Sequence, residues 1–348
     1  MMAEDTRPAV YGGVDTHADV HVAAAVDQAG RVLGTASFPA CERGYAELLG
    51  WLRGHGVLAR AGVEGTGSYG AGLARHLAAA GVPVLEVTRP DRQRRRRYGK
   101  SDPVDAVSAA VTALRLEDCG TAKADDGPAG ELRALRAARR GALKARTQAM
   151  NQLTGLLVSA PDLIRVRLDG LRGKKLAAAC AALAGSALDE PAGGTVTALA
   201  SIAGRWLGLD AEGASLDAAM TALVTRAAPA LLAKAGAGPQ SAAALIITAG
   251  DNPARIRRES SLAALCGVSP VDCSSGRQQR HRLNQGGDRQ ANSALWRIVH
   301  SRLQYDPRTQ AYLDKRTREG KTRKEIVRSL KRYVAREIWK AYIRPAAG

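Results

Sequence analysis

Four acidic residues have the types and positions of a site for divalent metal ions: Asp15, Glu64, Asp102 and Asp105. Asp15 and Glu64 each end an apolar run. Asp102 and Asp105 lie three residues apart at the start of a predicted helix, so both project from one face. Carboxylates in one place repel one another unless cations lie between them. Oxygen ligands favour Mg²⁺ or Mn²⁺, and two such ions about 3.5–4 Å apart can hold the reacting oxygens of a phosphoryl transfer.

The order of the predicted elements indicates how these carboxylates could meet. Apolar runs and helical periodicity predict the order β-β-β-α-β-α-β-α over residues 9–14, 20–26, 31–38, 42–53, 60–63, 73–80, 82–87 and 102–116. Three antiparallel strands followed by alternating helices and strands are typical of a ribonuclease H-like (RuvC-like) α/β domain, in which the first and fourth strands are neighbours. The actin-like sugar kinases open with the same order, so topology alone does not select the chemistry.

A glycine-rich loop, Gly65–Gly70, follows the predicted fourth strand. A loop of this kind that opens a helix can cradle phosphate through backbone N–H groups, which would favour a kinase. It also lets the chain turn sharply out of a strand beside a carboxylate. Because the sequence has no second phosphate loop, we favour a turn that lies against a nucleic-acid backbone.

The composition predicts a folded protein with a polyanionic partner. Of 348 residues, 51 are Lys or Arg, 33 are Asp or Glu and 45% are hydrophobic, which gives a formal net charge of +18. The hydrophobic content excludes a largely disordered chain, and the charge favours nucleic acid. The sequence contains no stretch typical of a transmembrane helix, signal peptide, zinc site or disulfide framework. We therefore expect a cytoplasmic, nucleoid-associated protein without a membrane partner.

Three basic segments are predicted to bind nucleic acid. The segment directly before Asp102 contributes Arg89, Arg92, Arg94, Arg95, Arg96, Arg97 and Lys100. A second segment contributes Arg277, Arg280, Arg282 and Arg289. The third, residues 315–344, carries twelve Lys or Arg and three Glu on a helix with an apolar stripe. Such charge runs are usually solvated surface. The first segment lies beside the proposed metal ions, which favours contacts with phosphates and a steep dependence on salt.

The rest of the chain is predicted to be mostly helical. Residues 131–159 form one long predicted helix, either in a coiled coil or in a helix hairpin, and 163–234 form a helical connector. Helices at 240–248 and 261–266 around a Gly-containing turn are similar to a helix-hairpin-helix element, whose amides commonly contact phosphates. The predicted regions are a catalytic domain at 1–120, a helical region at 121–235 and a C-terminal domain at 236–348.

Five motifs resemble the DEDD-type insertion-sequence transposases of the minicircle type, which are related to the Piv-type DNA invertases. They are GVDTHAD, VEGTGSYG and KSDPVDA around the four acids, then GDNPARIRRESSLAALCGVSPVDCSSG and NQGGDRQAN. The resemblance covers nearly the whole chain. It implies a RuvC-like domain joined by helices to a mostly helical C-terminal transposase domain. It also implies that Asp15, Glu64, Asp102 and Asp105 are the metal-binding and catalytic tetrad.

The resemblance further implies a nucleophile and partners. The family's Pro-x4-Ser-Gly pattern fits Pro270, Ser275 and Gly276, so Ser275 is implied to form a covalent intermediate with DNA. The neighbouring Ser274 is the alternative. Members of this family are implied to use a structured non-coding guide RNA that pairs with donor and target DNA. Because strand exchange joins two DNA sites, a homodimer or homotetramer is expected.

Three other functions remain open at this point. A structure-selective nuclease of the Holliday-junction resolvase kind would use the same four carboxylates with water as the nucleophile. An actin-like phosphotransferase would bind ATP, and the basic segment before Asp102 argues against it. A non-catalytic nucleic-acid-binding protein would retain its function after the substitution Asp102→Asn.

Overall fold

The protein forms two compact units. A computed structural model describes residues 7–87, 101–116, 119–183, 193–276 and 281–344. The first unit comprises Met1–Gly127 and Ala249–Arg257, and the second comprises Pro128–Thr248 and Arg258–Gly348. A short segment from the second half of the sequence therefore completes the first unit. The division into a catalytic domain at 1–120, a helical region at 121–235 and a C-terminal domain at 236–348 remains a prediction.

A six-stranded mixed sheet forms the centre of the first unit. Its strands are β1 (Ala9–Thr16), β2 (Val20–Val26), β3 (Val32–Pro39), β4 (Val57–Glu64), β5 (Val84–Val87) and β6 (Cys119–Thr121), and they lie in the order β3-β2-β1-β4-β5-β6. β1 pairs antiparallel with β2 and parallel with β4. This arrangement confirms the predicted ribonuclease H-like fold. β6 was not predicted, because three residues carry too little periodicity to indicate a strand.

Helices cover both faces of this sheet. The helices are α1 (Glu42–Gly54), α2 (Ala71–Ala79) and α3 (Asp102–Arg115). A Cβ atom added to Gly12 would lie 3.0 Å from Leu52 of α1, whereas one added to Gly13 would lie 2.0 Å from the backbone of α3 at Ala110. Consecutive strand residues point to opposite faces, so α1 and α3 pack on opposite sides of β1. Burial on both sides explains why β2 is almost entirely apolar.

Small residues let α3 lie directly on the sheet. Its buried face is formed by Ala106, Ser108, Ala109, Ala110 and Ala113 together with Asp105. Glycines face it from the two central strands, and a Cβ atom on Gly62 of β4 would lie 2.6 Å from the carbonyl oxygen of Ala109. The alanines on the buried face of α3 therefore allow a close contact between this helix and two strands.

Two long helices dominate the second unit. They are α4 (Pro128–Val158) and α7 (Gly193–Ala227). Arg139 donates from Nε and Nη2 to the two carboxylate oxygens of Asp217, at 2.6 and 2.9 Å. Seven residues further along α4, Arg146 pairs with Asp210. The residue numbers of the arginines increase along α4 while those of their aspartate partners decrease along α7, so the two helices run antiparallel. The long helix was predicted to lie either in a coiled coil or in a helix hairpin, and the structure contains a helix hairpin within one chain.

The remainder of the second unit is short helices and one small hairpin. The elements are α5 (Asp162–Leu168), α6 (Gly173–Ala182), α8 (Pro229–Leu232), α9 (Pro239–Ala249), α10 (Glu259–Leu265), β7 (Pro270–Asp272), β8 (His281–Leu283), α11 (Arg289–Tyr305), α12 (Pro307–Arg318) and α13 (Arg323–Ile338). α13 begins with a capping box between Thr322 and Glu325 and buries an apolar stripe that includes Ile326 and Leu330. Within the described residues, no helix is long and apolar enough to cross a membrane.

Candidate functional site

Two of the four predicted carboxylates lie side by side at the ends of neighbouring strands. Asp15 and Glu64 each follow, by one residue, the paired residues Val14 and Val63 of the parallel strands β1 and β4. They also lie two residues beyond the glycines that contact α3, so both side chains point to the α3 face. Asp15 is 8% exposed and Glu64 is 9% exposed. The sheet thus places two largely buried carboxylates on one face.

The first turn of α3 brings the other two carboxylates to the same place. α3 runs over the strands, and Asp105 directly precedes Ala106, whose carbonyl oxygen faces Gly13. Asp105 is 4% exposed, whereas the Asp102 side chain is half-exposed. Both acids act electrostatically on Asp15. The packing of α3 on Gly13 and Gly62 therefore determines how close these acids come to the strand ends.

His17 lies between two of the carboxylates. Its Nε2 atom is 3.2 Å from Oδ2 of Asp15 and 3.5 Å from Oδ1 of Asp102. One ligand atom from each of these three residues lies within 4.8 Å of the other two. His17 is not one of the four acids predicted to hold metal, and it lies in the loop between β1 and β2. Its position two residues after a strand-end carboxylate was the available signal.

The electrostatics of Asp15 fit a site for a cation. Burial raises the pKa of Asp15 above its ordinary value; His17 opposes this, and the negative charges of Asp105 and Asp102 raise the pKa further. A divalent cation would offset both the burial and the repulsion. The donors are carboxylate oxygens with one imidazole nitrogen, which suits Mg²⁺ or Mn²⁺.

The glycine-rich loop closes on itself after Glu64. Gly65 has a φ of 62°, a conformation that favours glycine, and its carbonyl oxygen accepts hydrogen bonds from the backbone N–H groups of Ser68 (2.8 Å) and Gly70 (3.1 Å). The hydroxyl of Thr16 donates to the carbonyl oxygen of Glu64 at 2.9 Å. Two of the amides that could bind phosphate are therefore used inside the loop, as in the turn that we favoured.

Several predicted nucleic-acid contacts lie outside the described residues. This applies to the whole segment Arg89, Arg92, Arg94, Arg95, Arg96, Arg97 and Lys100, and to Arg277 and Arg280. Arg282, in β8, and Arg289, at the start of α11, are both exposed in the second unit. Their side chains are available to a ligand in solution.

The two serines differ in their hydrogen bonds. Both follow β7 and are exposed. The hydroxyl and the backbone N–H of Ser274 donate to Oδ1 of Asp272, and these bonds lower the pKa of that carboxyl. The Ser275 hydroxyl has no hydrogen bond to a described residue, so it can approach a ligand without first breaking one.

A basic groove lies beside the hairpin that carries these serines. The groove has a volume of about 540 Å³ and is lined by β8 and the start of α13. Arg282, Lys321 and Arg328 line it, and none of the three forms an ion pair with a described residue. The carboxylate of Glu325 is held by the capping box with Thr322 at 2.8 Å. Glu325 therefore balances part of the charge of Lys321 and Arg328, and the remaining excess of positive charge in the groove favours an anionic ligand.

The motif NQGGDRQAN has a structural role in the second unit. Asp288 caps α11 by accepting from the N–H of Gln290 at 2.7 Å, and it also accepts from the hydroxyl of Thr248 at 2.9 Å. Asn292 donates to the carbonyl of Cys266 at 3.0 Å and accepts from Lys331 at 2.8 Å. These residues join α9, α10, α11 and α13 around the basic groove.

The turn of the predicted helix-hairpin-helix element is used within the protein. α9 and α10 flank the turn as predicted. The turn, however, belongs to the first unit, where the N–H of Asp251 donates to the carbonyl of Ala124 at 2.9 Å and Asn252 bonds Ala122 and Ala124. Its side chains and one of its amides thus bind the 122–127 segment. The predicted phosphate contact does not apply to that amide.

Comparison with known proteins adds independent information. Residues 12–160 match the transposase family model of the DEDD transposases of IS110, and residues 228–314 match the model of the transposase IS116/IS110/IS902 family. A similar curated protein is the insertion element IS110 uncharacterized 43.6 kDa protein of Streptomyces coelicolor, which is 28% identical over 155 residues. The similarity covers 42% of this chain and 38% of that relative, so the chain spans well under two thirds of the relative's length.

Proposed function

The chain belongs to the DEDD-type transposases of the IS110 family, and from this premise we propose that it recombines DNA by cutting and exchanging strands. The observation that carries the proposal is the convergence of acids at the ends of β1 and β4 under α3. Asp15 and Asp102 lie 3.2 and 3.5 Å from the same atom, Nε2 of His17, although 87 residues separate them along the chain, and the charge of Asp105 also acts on Asp15. A phosphodiester is the substrate class that such a site handles.

The residues that would hold divalent metal ions are Asp15, Glu64, Asp102 and Asp105, with His17 within reach of two of them. Bound Mg²⁺ or Mn²⁺ would neutralise charge on the phosphate and favour the departure of an alkoxide. The task of the chain itself is to keep the four carboxylates on one face. Gly13 and Gly62 do this by allowing α3 to lie on the strands.

Ser275 is the proposed nucleophile. Its Oγ atom would form a bond to phosphorus while the bond from phosphorus to the 3′ oxygen of the leaving strand breaks. The hydroxyl proton is lost to solvent or a base, and the leaving oxygen takes up a proton. A DNA 3′-hydroxyl would then displace the serine, which restores the phosphodiester and the enzyme without an external energy source. This requires Ser275 and the tetrad to act on the same phosphodiester.

The partners follow from charge and from the reaction. The net charge of +18 and the excess of positive charge in the basic groove favour donor and target DNA, and they are compatible with a non-coding guide RNA. Such a substrate would place the protein with the nucleoid in the cytoplasm. Strand exchange between two sites would require a homodimer or homotetramer.

The proposal is tested by trapping the covalent intermediate. The protein is incubated with element-end DNA, the candidate guide RNA and Mg²⁺, and denaturing gels are read for a protein–DNA adduct. We expect the adduct to disappear in Ser275→Ala and to persist in the neighbouring control Ser274→Ala. Asp102→Asn should abolish cleavage and retain DNA binding, because it removes a ligand rather than the basic surface.

Other outcomes would select other functions. Full cleavage without an adduct in Ser275→Ala would overturn the serine mechanism and favour a nuclease that uses water. An adduct that is lost only in Ser274→Ala would move the nucleophile by one residue. Unchanged activity in Asp102→Asn would refute the metal site.

A further inference from the structure

A stacked pair of aromatic rings lies exposed on α11. Trp296 and His300 are one helical turn apart, their ring centroids are 5.0 Å apart and their planes differ by 8°. Trp296 is 47% exposed, although an indole normally gains free energy by burial. An exposed stack of this kind is free to receive a further flat ring.

Arginines lie on the same helix as this stack and on α4, which α11 contacts through Arg136 and Gln290. Arg289 and Arg297 lie on the same helix, and Arg140 lies on α4; all three are exposed and form no ion pair within the described part of the chain. Arg136 of α4 donates to Oε1 of Gln290 at 3.0 Å. Burial and then the charge of Arg297 lower the pKa of Arg136, so the guanidinium groups of α4 and α11 are close enough to repel one another. Asp288, which caps α11, offsets part of this repulsion. The four arginines outnumber it, so an anionic ligand would be attracted here.

We propose that Trp296 and His300, with the arginines beside them, bind unpaired nucleotides: the rings stack on bases and the guanidinium groups contact phosphates. Aromatic rings beside cations are the usual means of binding single strands, because every base has a flat face. The inference rests on the proposed function only in taking nucleic acid as the partner.

Two other occupants fit the surface less well. A duplex keeps its bases stacked inside and presents mainly phosphate and sugar, so it would use the arginines and leave the indole unstacked. A second copy of the chain would bring another formal charge of +18 to a surface that is already positive. A single strand satisfies both the rings and the charge.

The experiment measures binding of the full chain to fluorescent oligothymidine, oligouridine and a duplex of the same length, in EDTA so that cleavage does not contribute. Trp296→Ala should weaken binding of single strands about tenfold or more and leave duplex binding within about twofold. Trp296→Tyr, which keeps a ring, should restore most of the affinity. Tyr305→Ala is the matched control, since Tyr305 is an aromatic residue of the same helix and is 80% exposed.

The arms of the experiment separate the sources of the strand. A larger effect of Trp296→Ala on oligouridine indicates RNA, and a larger effect on oligothymidine indicates displaced DNA; either supports the proposal. Equal losses on single strand and duplex, or no loss, would overturn it. If light scattering gave a lower molecular mass for Trp296→Ala than for the wild type, the stacking proposal would be overturned in favour of a contact between copies of the chain.

The failure of this inference can be told from the failure of the proposed function. If Trp296→Ala binds single strands normally while the Ser275-dependent adduct still forms, only the stacking surface is refuted. If the wild-type protein forms no adduct, and Trp296→Ala nevertheless binds single strands more weakly than the wild type, only the serine mechanism is refuted.

Discussion

The substitution Gly13→Ala tests whether the contact between α3 and the sheet assembles the site. A Cβ atom at this position would lie 2.0 Å from the backbone nitrogen of Ala110 and 2.2 Å from the carbonyl oxygen of Ala106. Both atoms belong to the backbone of α3, so no side-chain rotation can relieve the contact. The helix must move away from β1, and it carries Asp102 and Asp105 with it.

The size of the effect follows from these distances. To lengthen the 2.0 Å contact to the 3.0 Å that real Cβ atoms respect, α3 must retreat by about 1 Å. Overpacking of this kind costs about 1–3 kcal/mol, and we expect the upper end because the backbone cannot adapt. That corresponds to a fall of roughly 10 °C in melting temperature for a unit of this size. A displacement of about 1 Å in a catalytic group should slow cleavage by about 100-fold.

The assay compares thermal unfolding, followed by circular dichroism, with DNA strand cleavage at a temperature where the variant is folded. Gly50→Ala is the matched control, because Gly50 lies in α1 of the same unit and an added Cβ meets nothing within 4 Å. It should be neutral or more stable by about 0.5–1 kcal/mol. Gly12→Ala should be milder than Gly13→Ala, since its nearest atom, at 3.0 Å, belongs to the flexible side chain of Leu52. A Gly13→Ala protein with wild-type stability and cleavage would refute the reasoning.

Two further predictions concern acid stability and thiol reactivity. Asp210 accepts from Lys174 at 3.2 Å and pairs with Arg146, and these contacts lower its pKa. The stability that the ionised Asp210 contributes to the fold is therefore present above the unfolded pKa of about 3.9, and it is lost as the pH falls through the lower pKa of the folded state. Melting temperatures of the wild type should therefore fall more steeply than those of Asp210→Asn below about pH 4, and parallel curves would contradict this. Burial raises the pKa of Cys180 to about 11 and of Cys266 to about 12, whereas Cys41 and Cys273 are exposed. A thiol reagent at neutral pH should label the exposed pair quickly and the buried pair only after unfolding, and mass spectrometry of the labelled peptides would reveal the opposite order.

Local patterns in the sequence were sufficient for the order of β1–β5 and α1–α3 in the first unit, although not for the short strand β6. The predicted helix at 102–116 matches Asp102–Arg115, and the predicted long helix at 131–159 matches Pro128–Val158. These elements are readable because apolar residues repeat with the period of a helix or strand, which depends only on near neighbours in the chain. The four acids were identifiable for the same reason, since each ends a strand or begins a helix.

Contacts between distant residues decided the rest. The segment Ala249–Arg257 binds residues 122–127 through Asp251 and Asn252, a pairing that no local pattern indicates. The partner of α4 was also open in the sequence, because an amphipathic stripe indicates burial without naming the surface that covers it. Arg139 and Arg146 identify that partner only when Asp217 and Asp210 of α7 stand opposite them.

The candidate site shows both contributions. By itself the sequence determined which side chains could bind metal, because their chemistry and local position are written in the chain. Only the tertiary structure decided that Asp15 and Asp102 lie on either side of His17, at 3.2 and 3.5 Å from its Nε2 atom. The physical reason is the close packing of α3 on Gly13 and Gly62, where the absence of two side chains sets the distance between a helix and a sheet.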